Sequence, residues 1–97
     1  MKGNFATLIN EDKPVIVDFH AVWCAPCKMQ APVLQELAKE LGDKIKVLKV
    51  DVDQNQEIAS QYKIQSVPTL IVFRNGKPVW RQSGVVGKNQ LLKILQY

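Results

Sequence analysis

The chain has two cysteines, Cys24 and Cys27, separated by two residues in the stretch Trp23-Cys24-Ala25-Pro26-Cys27-Lys28. In the first turn of a helix, residues three apart share a face. Their Cβ atoms are roughly 5–6 Å apart, close enough for a disulfide to form without large backbone movement. The reactive form of a thiol is the thiolate, which a helix N-terminus stabilises through its free N–H groups and its dipole. The spacing therefore points to reversible dithiol chemistry. Cys24 leads the turn and is the candidate nucleophile. Cys27 lies one turn deeper and is the candidate resolving thiol, which would release a mixed disulfide.

Other chemistries use the same residues. Half of a zinc site would need two more ligands, and no second Cys-x-x-Cys follows, although His20 and an acid could complete one. A fortuitous pair of core thiols is the plainest alternative. Trp23 and Pro26 flank the pair at a strand-to-helix junction, which favours redox chemistry, the usual reading of Cys-x-x-Cys beside a βαβ pattern.

The elements that must position the thiols can be read in order. Asn4 can cap a short helix through Ile9. Val15 to Phe19 is continuously apolar apart from Asp18, as suits a strand covered on both faces of a parallel sheet. After the cysteines, Met29, Val33, Leu34, Leu37, Ala38 and Leu41 fall at helical spacing as one apolar stripe. Pro26 fits the first turn, Pro32 should kink the helix, and Gly42 ends it. Ile45 to Val52 is a second strand, parallel to the first because a helix intervenes. Asp53-Gln54-Asn55 offers caps for a short helix in which Ile58, Ala59 and Tyr62 share a face. Thr69 to Phe73 is a third strand. Asn75-Gly76 signals a hairpin into an edge strand, Val79 to Ser83, which Pro78 precedes. A last helix runs from Lys88 to Gln96. The order α-β-α-β-α-β-β-α predicts an α/β fold with a four-stranded mixed sheet and helices on both faces.

At 97 residues the chain is expected to be a single domain over residues 1–97, large enough to bury one core. Thirteen basic against nine acidic residues give a net charge of +4, and the lysines are dispersed without a run of like charge, which weighs against nucleic acid as a partner. No apolar run approaches the ~20 residues of a membrane span. The N-terminus has no apolar h-region, so the expected location is cytoplasmic.

The chain resembles the thioredoxin family closely. The resemblance is carried by Val17-Asp18-Phe19, Trp23-Cys24-Ala25-Pro26-Cys27-Lys28, Lys49-Val50-Asp51-Val52-Asp53, Val67-Pro68-Thr69, Asn75-Gly76 and Ser83-Gly84, in the family's order and spacing from about Asn4 to the end. It implies a thioredoxin fold and the reduction of protein disulfides. It also implies that no cofactor is bound and that the Cys24–Cys27 disulfide is recharged by an NADPH-dependent flavin reductase, a thioredoxin reductase. A monomer that binds no metal or membrane is expected. The sequence departs from the family pattern at four places: Ala25 for glycine, His20 for tryptophan, Ser66 for glycine, and an N-terminus too short for the family's first strand.

The supporting residues carry two readings each. Asp18 is a costly carboxylate in a core strand unless it has a function or points to solvent; by resemblance it manages the proton of Cys27. Lys49 is either an ordinary snorkelling lysine or, by resemblance, an ammonium near Asp18. X-Pro bonds favour trans, but by resemblance Pro68 is the family's cis-proline facing the cysteines, with Val67 as a substrate contact. Trp23 is core or a contact surface for partners, and Ala25 and Pro26 adjoin it. Gly84 is a plain turn residue or permits close approach of a substrate chain. His20 is a core histidine or a neighbour that tunes Cys24. A disulfide oxidase or isomerase on the same fold, or a binding subunit without redox activity, are the competing functions.

Overall fold

The computed structural model describes residues 4–97. Its centre is β1 (Val15–His20), every residue of which except His20 is buried. Side chains alternate across a strand, so an unbroken apolar run requires cover on both faces. Ile16 turns to one face and packs against Leu34, Leu37 and Leu41 of α2 (Ala25–Leu41) and Leu91 and Leu95 of α4 (Lys88–Leu95). Val15, Val17 and Phe19 turn to the other face. There they meet Phe5 of α1 (Phe5–Leu8) and, from α3 (Gln56–Gln61) and its end, Ile58 and Tyr62.

The sheet has four strands in the order β2-β1-β3-β4, with β2 spanning Lys46–Asp51, β3 Thr69–Arg74 and β4 Lys77–Ser83. β1 and β2 are parallel, as the intervening α2 requires, and β3 is antiparallel to both β1 and β4. The mixed sheet and the covering helices match the sequence expectation.

Two details differ from the sequence reading, the start of β4 and the place of Met29. β4 begins at Lys77, so Pro78 lies inside it. The proline is tolerated because β4 is an edge strand and its register shifts there: Val72 faces Trp80 while Phe73 faces Pro78, leaving Val79 as the extra residue of a bulge. Asn75 and Gly76 both have positive φ (55° and 79°), as the expected tight hairpin turn needs. Met29 does not belong to the buried stripe of α2, being 66% exposed. The stripe is instead Cys27, Gln30, Leu34, Leu37 and Leu41. α2 runs through Pro32 unbroken, and Gly42 (φ 53°) closes it.

Phe73 is fully buried and makes edge-to-face contacts with Phe5 and Tyr62 at centroid distances of 5.9 and 5.3 Å. It joins α1 and the end of α3 to one sheet face. Phe73→Ala is expected to lower the unfolding free energy by about 3–5 kcal/mol, read as a lower urea midpoint.

Candidate active site

The site begins where β1 ends. Val22 and Trp23 turn the chain away from the sheet, and Cys24 becomes the N-cap of α2 with an extended backbone (φ −92°, ψ 110°). An N-cap side chain normally offers oxygen to a free N–H of the first turn. Here sulfur takes that place, and the Cys27 N–H donates to Cys24 Sγ at 3.1 Å. Pro26 stands within the first turn, where its missing N–H costs nothing. The two cysteines form a disulfide with Cα atoms 5.3 Å apart.

Cys24, the candidate nucleophile at the start of the turn, is buried. In the disulfide form it is 3% exposed and Cys27 5%. The reason is that the pair forms a small apolar cluster with Ala21, covered by Val52 and Val67.

Opposite the disulfide, the Val67–Pro68 peptide bond is cis. Val67 O lies 3.6 Å from Cys24 Sγ. Gly84 (φ +89°), a backbone conformation that side-chain-bearing residues rarely adopt, donates its N–H to Pro68 O at 2.9 Å. Thr69 and Ser83 hydroxyls meet at 3.0 Å just behind. Val67, Pro68 and Gly84 are thus one linked rim beside Cys24. Trp23 is a surface residue: 68% exposed, with its indole N–H donating to Asp53 Oδ2 at 2.8 Å. Ala25 and Pro26 are exposed next to it.

Asp18 sits on the β1 face that α2 covers. It is fully buried, and neither carboxylate oxygen has a hydrogen-bond partner among the described residues. The reading that it points to solvent is therefore wrong. Burial pushes its carboxyl above the ordinary value of 3.8, while the charges of His20 and then Lys49 pull it down. Lys49 is its direct neighbour across the parallel β1–β2 pair and is exposed. His20 follows Asp18 by two residues on the same face and is only half-buried. A cleft of about 290 Å³ is lined by His20, Ala21, Cys27, Lys28 and Lys49 among others, so the side chains that bias Asp18 share a wall with the second cysteine.

Two residues escaped the sequence reading. Asp53 was assigned only a capping role, yet it holds Trp23. Gln30 is fully buried and pairs with both backbone groups of Val86. Its position three residues after Cys27 and four before Leu34 is the signal that could have placed it on the buried stripe. Among the described residues, no group of three or more His, Cys, Asp or Glu side chains is placed to hold a metal ion, so the zinc alternative has no ligand set there. No helix among them is long and apolar enough to cross a membrane.

The family model Thioredoxin matches residues 1–97. The chain belongs to the thioredoxin family. It is 52% identical over 89 residues to a thioredoxin of Alicyclobacillus acidocaldarius, which covers 92% of this chain and 85% of that protein. It is 46% identical over 89 residues to Thioredoxin Y, chloroplastic, of Oryza sativa subsp. japonica, spanning 92% of this chain but 53% of the rice protein. It is also 50% identical over 91 residues to the Bifunctional thioredoxin reductase/thioredoxin of Mycobacterium leprae, spanning 94% of this chain and 20% of that protein. Family membership and the Cys24–Cys27 pair together make the site a thiol–disulfide oxidoreductase centre.

The Asp18 carboxyl also bears on stability. A carboxyl whose folded pKa lies above its unfolded value costs nothing below the unfolded pKa, and stability is lost as pH rises through the folded pKa. Asp18→Asn is therefore expected to stabilise the fold near neutral pH by roughly 1–3 kcal/mol while slowing disulfide reduction, with the gain shrinking in acid. Urea midpoints across pH check this, and a lower midpoint for the variant at neutral pH would overturn it.

Proposed function

We propose that the protein is a protein-disulfide reductase in which Cys24 attacks and Cys27 resolves. The observation that carries this is the sulfur N-cap. Cys24 Sγ accepts the Cys27 N–H at the start of a 17-residue helix while facing Val67 O. Negative charge that develops on Cys24 is stabilised there by the donated N–H and the helix dipole. Among the described residues no N–H donates to Cys27 Sγ, which supports the order of attack.

The reaction then balances as follows. The Cys24 thiolate attacks one sulfur of the substrate disulfide, the substrate S–S bond breaks, and the released thiolate takes a proton from solvent. Cys27 gives its proton to the Asp18 carboxylate through solvent in the cleft that Cys27 shares with His20 and Lys49. The Cys27 thiolate then attacks Cys24 Sγ, the second substrate thiolate leaves and takes a proton from solvent, Asp18 returns to solvent the proton it accepted, and Cys24–Cys27 closes. Two electrons and two protons pass to the substrate.

An extended substrate chain would pair with the backbone at Val67–Pro68 and lie close to Gly84, with Trp23, Ala25 and Pro26 as the adjoining contact surface. The protein holds no cofactor of its own in this reading. Its disulfide is recharged by an NADPH-dependent flavin reductase, a pairing supported by the mycobacterial relative whose name joins thioredoxin reductase and thioredoxin in one chain. We place the activity in the cytoplasm, as a monomer, because a dithiol reductant needs a reducing poise to stay charged. The rice relative carries a chloroplastic name, which belongs to that protein.

Two experiments test this. Cys27→Ser is expected to hold protein targets as mixed disulfides through Cys24, seen as reductant-sensitive adducts on gels; equal trapping by Cys24→Ser would reverse the assigned roles. Trp23→Ala is expected to raise KM for insulin reduction several-fold, about 1 kcal/mol of lost contact. An unchanged KM would remove Trp23 from the substrate surface.

A further inference from the structure

Gln30 is a polar side chain with no exposed surface, placed three residues beyond Cys27 on the buried stripe of α2. Its Oε1 accepts the Val86 N–H at 2.7 Å, and its Nε2 donates to Val86 O at 3.0 Å. The side-chain amide thus does for Val86 what a neighbouring strand would, pairing both backbone groups of one residue. Val86 itself is fully buried, so without Gln30 both groups would lose their partner away from water.

These bonds close a ring around the disulfide. Cys24 Sγ faces Val67 O at 3.6 Å, Pro68 O accepts the Gly84 N–H at 2.9 Å, and Gln30 grips Val86, two residues beyond Gly84. From Gln30 the helix leads back to Cys27. The segment from Gly84 to Val86 joins β4 to α4, and Val85 between them is 42% exposed.

We propose that Gln30 is a positioning residue for extended polypeptide substrates: by pairing with Val86 it holds the Gly84–Val86 segment at the separation from Cys24 that a chain lying between Val67 and Gly84 requires. This rests on the reading of Val67, Pro68 and Gly84 as the substrate rim. A small disulfide, which reaches Cys24 without spanning that rim, does not depend on the separation.

The test compares two substrates with the reduced full chain. Gln30→Met keeps the volume and the helix propensity but removes both amide bonds. For insulin, KM is expected to rise about tenfold with kcat little changed, while the rate constant toward dithiobis-nitrobenzoate changes by less than about twofold. Gln30→Glu keeps the acceptor for the Val86 N–H and, when burial holds it protonated, also the donor to Val86 O; it is expected to recover most of the insulin KM. Should Gln30→Met not fold, the Glu variant carries the comparison against Gln30→Leu. An unchanged insulin KM in a folded amide-less variant, equal losses on both substrates, or a folded Glu variant as poor as the Met variant would each overturn the proposal. If Trp23→Ala raises the insulin KM and Gln30→Met does not, the inference about Gln30 falls and the substrate rim stands. If neither does, the inference about Gln30 falls and Trp23 leaves the substrate surface.

Discussion

One hydrogen bond sets the terms for the rest of the structure: the Cys27 N–H to Cys24 Sγ, at the start of α2. A helix start is among the few places where backbone supplies several unpaired N–H groups aimed at one point. To use it for thiol chemistry, the fold must deliver a cysteine to the N-cap and a second one to the same face, and must keep the helix from shifting. β1 delivers the first, the three-residue spacing delivers the second, and the stripe Leu34, Leu37 and Leu41 packed on Ile16 anchors the helix. The sheet is in this sense a mount for one helix end.

The opposite wall of the site is made from loops and is held differently. The segment after β4 must be tied to the segment before β3 and to α2. Backbone and side-chain hydrogen bonds do it: Gly84 to Pro68, Thr69 to Ser83, and Val86 to Gln30. Such bonds contribute only about 0.5–1.5 kcal/mol each, but leaving a buried partner unpaired costs more, so together they define one geometry sharply. Gly84 is needed because the chain turns there at φ +89°. Of this rim only Gly84 is exposed; Val67 is half-buried and Pro68 buried.

The element order, the mixed sheet, the covered faces and the cysteine pair were all legible in the sequence, because each depends on local pattern. An unbroken apolar run gave β1, period-3.6 spacing gave α2, and Asn75-Gly76 gave the hairpin. The cis state of Pro68 was legible only through resemblance, since the X-Pro bond by itself favours trans. What failed did so for identifiable reasons. Met29 fits the apolar stripe by helical spacing, yet it faces outward in the structure. Gln30, a polar residue outside the apolar pattern, takes the inward position instead and finds partners 56 residues away in the chain. Pro78 set the start of β4 too late, because a bulge absorbs it. Long-range hydrogen bonds leave no periodic trace, so Asp53 beneath Trp23 was read as a cap.

Asp18 and Gln30 mark two opposite ways of placing polarity in a core. Gln30 is fully paired and reinforces a single arrangement of loop and helix. Among the described residues Asp18 has no hydrogen-bond partner for either oxygen, and burial raises its pKa. A core chosen for stability alone would have an apolar residue there. The position makes sense when the carboxyl must change protonation during a reaction, since a group locked into fixed hydrogen bonds holds one protonation state more firmly than another. The charges of His20 and then Lys49 oppose that rise. Where the family pattern has tryptophan, this chain places an ionisable side chain beside that acid.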